Sequence, residues 1–121
     1  MVQAQTILNV ADNTGAKKAL CIRILGNNRK YGQVGDFLVC CIKRALPNMP
    51  VKKSAVVKGV LIRSKKTVTR TDGHSLKFDA NEIVLLNTDN TPKGSRIFGP
   101  ILRELRKKKL IKIISLADNI I

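Results

Sequence analysis

Tryptophan is absent, histidine occurs once, and only 8 of the 121 residues are acidic. Each shortage excludes a class of function. The aromatic residues are Tyr31, Phe37, Phe78 and Phe98, and three of the four sit among core-like neighbours, so a platform for stacking single-stranded bases is poorly equipped. The lone His74, beside Asp72-Gly73, makes neither a zinc site nor a hydrolase by itself. Carboxylates are mostly isolated in turns, which argues against the paired acids of a metal-dependent nuclease; Asp12 and Asp36 read as turn formers. The three cysteines, Cys21, Cys40 and Cys41, lack Cys-x-x-Cys spacing, and their odd number gives no disulfide framework. They read as reduced, structural thiols of a reducing compartment. No apolar run approaches the roughly 20 residues of a spanning helix, and the cations are spread along the chain rather than gathered beside a lipid anchor, so a membrane is not expected as a partner. Phosphate-binding loops, dinucleotide glycine fingerprints, nucleophile elbows and zinc-helix motifs are missing. The sequence therefore reads as a non-enzyme that needs no cofactor and no metal.

What is abundant is positive charge. Twenty-three lysines and arginines (23 in all) give a formal net charge of +15. A compact molecule so charged repels itself unless a polyanion supplies counter-charge, and nucleic acid is the natural one. The length suits one domain, 1–121, with a modest core of its own. The opening residues resemble neither a secretory signal nor a transit peptide, from which we expect a chain that works where it is made or is already mature.

Short apolar segments recur between turn residues: 6–10, 20–25, 37–46, 55–63, 66–71, 75–78 and 83–86. They read as half-buried strands, with Lys43 and Arg63 marking a solvent-facing side. Such strands in this length imply a mainly β fold, a small closed or nearly closed barrel. Asp72-Gly73 reads as the two-residue primed turn of a projecting ribbon hairpin spanning 65–78. Helical signal comes late. Pro100 suits a first helical turn, after which Ile101, Leu102 and Leu105 share one face, Arg103 and 106–109 lie mostly opposite, and Glu104 pairs with Lys108. The apolar stretch 110–116 is expected to pack back on the barrel.

The chemistry on offer is cationic and distributed. Lys17, Lys18, Lys43, Arg44, Lys52 and Lys53 are candidate phosphate contacts, as are Lys65, Lys66 and Arg70 on the ribbon. In Asn28, Arg29, Lys30 and Tyr31 an amide, two cations and a phenol are placed to meet a phosphate or ribose. Together they suit folded RNA read by backbone position and shape.

Three separated motifs carry a family resemblance over the whole chain. They are Gln5-Thr6-x-Leu8-Asn9-Val10-Ala11-Asp12-Asn13-Thr14-Gly15-Ala16; then Gly59-Val60-Leu61-Ile62 with Asp72-Gly73, Phe78, Asn81 and Val84-Leu85; and Gly94-Ser95-Arg96-Ile97-Phe98-Gly99-Pro100 followed by Arg103-Glu104-Leu105-Arg106. In these the sequence resembles the universal large-subunit ribosomal protein family number fourteen, of bacterial and organellar type. It departs in Thr14 where serine is usual, in Lys107-Lys108-Lys109, and in Ala117-Asp118-Asn119 where Ala-Pro-Glu is common; Asp118 is then expected to cap a last helix. The resemblance implies a five-stranded β-barrel with a projecting β-ribbon and short C-terminal helices. It implies binding to large-subunit ribosomal RNA, contact with the third and nineteenth ribosomal proteins, and a bridge to small-subunit RNA. It also implies a surface that receives a ribosome silencing factor, for which Ser95, Arg96 and Lys112 are the candidate residues. The abundance of Ile, Lys and Asn suits an AT-rich genome, so a plastid (chloroplast) ribosome is favoured over the bacterial cytoplasm. The competing reading is a freestanding RNA-binding translation or transcription factor, which would wash off its target at moderate salt.

Overall fold

The computed structural model describes residues 2–26, 30–108 and 110–121, with the backbone alone at 106–108 and 118. Its strands are β1 (Ile7–Val10), β2 (Ala16–Ile24), β3 (Phe37–Ala45), β4 (Val56–Arg63), β5 (Val68–Thr69), β6 (Ser75–Leu76), β7 (Glu82–Leu86), β8 (Ile97–Ile101) and β9 (Ala117–Ile120). Five of them close a barrel in the order β1-β2-β3-β4-β7, and the β1–β7 seam is the parallel one. The five-stranded barrel expected from the sequence is the fold.

Alternation explains the barrel wall. Along β3, Leu38, Cys40 and Ile42 are buried while Val39, Cys41 and Lys43 point outward. The interior is filled by Leu8, Leu38, Ile42, Leu61, Ile83 and Leu85, each fully buried. Each such side chain contributes about 1.5–3 kcal/mol. Val60 to Arg63 on β4 break the alternation and are all buried. Their outer side is covered by the end of the chain: Val60, Ile62, Val84 and Leu86 meet Ile97, Ile101, Leu105, Ile113 and Ile114 in a second core. Strands covered on both faces read as continuous apolar runs, as β4 does.

Several expectations are corrected. Pro100 does not open a helix; it lies in β8, which pairs in parallel with β9 across a register irregularity between Ile97 and Pro100 where a missing N–H is tolerated. The helical part is a 3-10 helix, Arg103–Lys108, and then α1, Ile111–Leu116. Stretch 110–116 does pack back, through buried Ile113 and Ile114. No helix starts at Asp118, because Ala117–Ile120 is strand. The ribbon is shorter than 65–78: its ladder is Val68 opposite Leu76 and Thr69 opposite Ser75. Its turn is not the two-residue primed one. Arg70 N–H donates to the His74 carbonyl at 2.8 Å and Gly73 N–H to the Arg70 carbonyl at 3.1 Å, enclosing Thr71, Asp72 and Gly73. In this loop Gly73 alone has positive φ, 91°, whereas a type I′ turn would require it of Asp72 as well.

Candidate nucleic-acid interface

Six of the expected cations gather at one end of the barrel. Strand register sets Lys18 opposite Arg44, and Lys17 and Lys43 adjoin them; all four are exposed. The β3–β4 loop folds onto the same end. Leu46 N–H donates to the Gly15 carbonyl at 2.9 Å and Ser54 N–H to the Ile42 carbonyl at 2.7 Å, which leaves Lys52 and Lys53 exposed beside the others. Like charges opposite one another in a sheet destabilise it. Among the described residues no carboxylate forms an ion pair with any of the six. Irregular register on either side of Lys18 gives this edge extra twist.

The opposite end holds a second group. Lys65 and Lys66 are exposed where the chain leaves β4, with Lys65 N–H donating to Asn81 Oδ1 at 2.9 Å and Lys66 N–H to Ser64 Oγ at 3.2 Å. Tyr31 is 43% exposed, with Lys30 Nζ 5.6 Å from its ring centre. Asn28 and Arg29 lie outside the described residues. A cleft of about 280 Å³ at this second end is lined by Gly32, Gln33, Val34, Ser64, Lys66 and Leu102 among others. Arg70 is placed differently. Its Nε donates to Glu104 Oε1 at 2.5 Å and its Nη2 to the Ile121 carbonyl at 2.5 Å, and its side chain is 12% exposed. It is committed inside the molecule rather than offered on an outer arm. Glu104 pairs with Arg70; the Lys108 side chain, expected to meet it along the helix, lies outside the described residues. Burial raises the Glu104 carboxyl, but the Arg70 hydrogen bond and charge outweigh it and leave the group below the usual glutamate range.

Ser95 and Arg96 are held by Asn13. Its Oδ1 accepts both backbone N–H groups, at 3.0 and 3.2 Å, and its Nδ2 donates to Ser95 Oγ at 3.0 Å. The Arg96 guanidinium lies 5.8 Å from the Phe98 ring centre. Lys112, exposed on α1, adjoins the 89–91 loop, where the Thr91 hydroxyl and amide, and more distantly Lys112, hold the Asp89 carboxyl below its ordinary value.

Sequence reasoning missed three residues that fix these surfaces. Asp12 is buried, accepting from Thr14 Oγ1 at 2.6 Å and from Leu85 N–H at 3.0 Å, so it ties the loop before β2 to β7 as well as shaping its own turn. Asn13 carries the Ser95 loop. Arg63, expected to face solvent, is 5% exposed: it pairs with Glu82 and donates to the carbonyls of Phe98 and Pro100 at 2.6 and 3.1 Å. Only the Gly99 between those carbonyls hinted at it. Asp36 does make a turn, accepting from Gln33 N–H at 2.7 Å. The three cysteines are free thiols; burial, then the neighbouring Cys21 and Cys41, pushes the Cys40 thiol up to about 12. Against known protein families, residues 1–121 match the model of ribosomal protein L14p/L23e.

Proposed function

Because the chain belongs over its whole length to the ribosomal protein L14p/L23e family, and so is a structural ribosomal protein that binds ribosomal RNA, we propose how its surfaces are used in the large subunit. The single domain, 1–121, catalyses nothing. It meets large-subunit RNA phosphates through Lys17, Lys18, Lys43, Arg44, Lys52 and Lys53 at one end and through Lys30, Tyr31, Lys65 and Lys66 at the other. The observation that carries this is the cross-strand Lys18–Arg44 pair with its four neighbours. An uncompensated cluster is costly alone and is relieved when phosphates replace its condensed counterions. Asn28 and Arg29 extend the second group by sequence. Arg70 holds the ribbon in place and contributes to RNA binding only indirectly.

Ser95, Arg96 and Lys112 serve the face toward the small subunit, a bridge to its RNA, and a ribosome silencing factor. Support comes from Asn13, which fixes Ser95 and Arg96 at the surface, since a pre-set loop loses little entropy on binding. The third and nineteenth ribosomal proteins are its protein neighbours, and a plastid is its compartment, with the bacterial cytoplasm as the alternative. Sedimentation of cell extract through moderately high salt tests the core of this reading. A structural constituent stays with the large subunit, whereas a freestanding translation or transcription factor, held by a few phosphate contacts, is released.

A further inference from the structure

Cys21 and Cys40 face each other inside the barrel. Strand register sets them directly opposite across β2 and β3, and both side chains are fully buried in the interior core. The backbone shows which kind of pair this is. Cys21 donates its N–H to the Thr6 carbonyl at 2.9 Å and its own carbonyl accepts from Gln5 N–H at 2.6 Å, so both groups turn toward β1 and away from β3. Two residues beyond Cys40, Ile42 donates to the Ala55 carbonyl at 2.9 Å and accepts from Ser54 N–H at 2.7 Å; by the alternation of a strand, the Cys40 backbone turns to the same β4 side. The two cysteines therefore exchange no backbone hydrogen bond. They form the narrow kind of antiparallel pair, whose Cα atoms lie about 4.5 Å apart and whose side chains are closest. A disulfide spans Cα separations of about 4.4–6.8 Å. A bond here needs no movement of the strands, and its place at the short end of that span keeps it reducible. Cys41, opposite Leu20, is turned away from both.

We propose that Cys21 and Cys40 are an oxidation site of the RNA-free protein, closing to a cross-strand disulfide by exchange with a low-molecular-weight disulfide such as oxidised glutathione. Burial raises both thiols. A hydrogen bond from the Arg23 backbone offsets part of that at Cys21, whereas Cys40 is pushed up to about 12 by burial and then by Cys21 and Cys41, so Cys21 attacks first. Its thiolate bonds to one glutathione sulfur, the glutathione S–S bond breaks, and one glutathione thiolate leaves. Cys40 then gives up its proton, attacks the Cys21 sulfur of the mixed disulfide and expels the second glutathione thiolate. Two electrons pass from the pair to glutathione, and the two thiol protons end on the two glutathione thiols. The neighbouring ladder explains when this happens. Lys18 and Arg44 repel across the same two strands, and the register slips between Cys21 and Arg23. Without phosphates this edge opens more readily and admits the oxidant; the disulfide, closing the loop 22–39, then ties together the strands that the charges push apart. With RNA on the basic end the repulsion is relieved, and the thiols stay enclosed and reduced.

The disulfide is independent of the ribosomal reading; its suppression by RNA rests on that reading. Half-buried Cys41 is replaced in Cys41→Ser so that only the pair reports, and the parent is mapped beside it. Both isolated chains, free of RNA, are equilibrated in glutathione buffers of increasing oxidised fraction, quenched in acid, alkylated, and read by intact mass and by peptide mapping without reductant. The expected product is a monomer lighter by two hydrogens, with the Cys21 peptide joined to the Cys40 peptide. Its urea midpoint is expected to exceed that of the reduced chain and to return on adding dithiothreitol. Cys40→Ala in the Cys41→Ser background should show no two-hydrogen loss. In large subunits held in the same buffers, both thiols are expected to stay free. Thiols that remain free in both isolated chains at the most oxidising buffer, glutathione adducts or dimers without the internal bond, or a disulfide that lowers the urea midpoint would overturn the proposal. Equal oxidation in isolated protein and particle would overturn its restriction to the RNA-free protein. A parent chain absent from large subunits would overturn the ribosomal reading while leaving the disulfide to be judged on the isolated chain.

Discussion

The guanidinium of Arg63 fills the space in which residue 99 would carry a side chain: a β-carbon on Gly99 would lie 2.1 Å from Arg63 Nη1. The backbone there has φ 83°, so glycine is required twice over. Gly99→Ala is expected to destabilise the protein by about 1–3 kcal/mol, read from the urea midpoint. Arg63→Met removes the partner of Glu82 and of two carbonyls, and is expected to cost about 3 kcal/mol, toward the lower bound for breaking a buried pair because Glu82 is 26% exposed. The double variant should lose less than the two single losses together, because the clash disappears with the guanidinium. Simple additivity would contradict this packing.

The ribbon is latched by Arg70 and Glu104, and the latch titrates. Glu104 has its folded-state carboxyl below the unfolded value, so its contribution is complete above the unfolded glutamate range and is lost as pH falls through the depressed folded value. Protection of the Thr69 and Arg70 amides, relative to the intrinsic exchange rate at each pH, is expected to fall in acid, below the ordinary glutamate range, in the parent. In Glu104→Gln that protection should already be low at neutral pH and change little on acidification. An identical acid response in both would show that the latch does not hold the ribbon.

Gly73 closes the ribbon turn with φ 91° and has open space around it. Gly73→Val is therefore expected to meet backbone strain without a clash, costing about 1–2 kcal/mol. The fraying should be local: 67–76 amides lose protection while the barrel amides of β2 and β3 keep theirs. Unchanged protection in the ribbon would refute the turn assignment.

The barrel was legible because its strands carry their instructions locally. Leu38, Cys40 and Ile42 alternate with outward residues, and glycines, asparagines and aspartates mark the turns between strands. Less legible was whatever depends on a distant partner. The first half of β2 has only Ala16 and Ala19 facing the core, too small a signal to announce a strand around Lys17 and Lys18. Arg63 and Arg70 look like surface cations until β8 and the 3-10 helix, more than thirty residues away, arrive beside them. Pro100 suggested a helix start because its pairing with β9 lies across a register break that no local pattern reveals. The basic end was half legible. Its residues were evident as charges, but their meeting at one edge is a product of strand register.

At the Asn13-held loop, Arg96→Ala and Lys112→Ala are expected to leave incorporation into the large subunit intact while weakening a silencing factor or subunit joining. The loss should be about 1–3 kcal/mol for a desolvated charged hydrogen bond and near zero at a rim. Pull-down of the factor on mutant subunits, beside a joining assay on the same preparation, reads both. Asn13→Ala is expected to reproduce the defect without removing either cation, because Ser95 and Arg96 lose their acceptor. A defect in incorporation alone would contradict the assignment of this face.

The most direct measurement is the salt dependence of binding to a large-subunit RNA fragment, with Lys17, Lys18, Lys43 and Arg44 replaced by alanine singly and together. The urea midpoint of each variant should match or exceed that of the parent, since the replaced side chains are exposed and repel one another. The slope of log affinity against log salt should become shallower by about 0.7–0.9 for each phosphate contact removed, and the combined variant should show the largest change. A combined variant that folds normally and keeps both the parent's affinity and its slope would contradict an RNA interface at this end of the barrel.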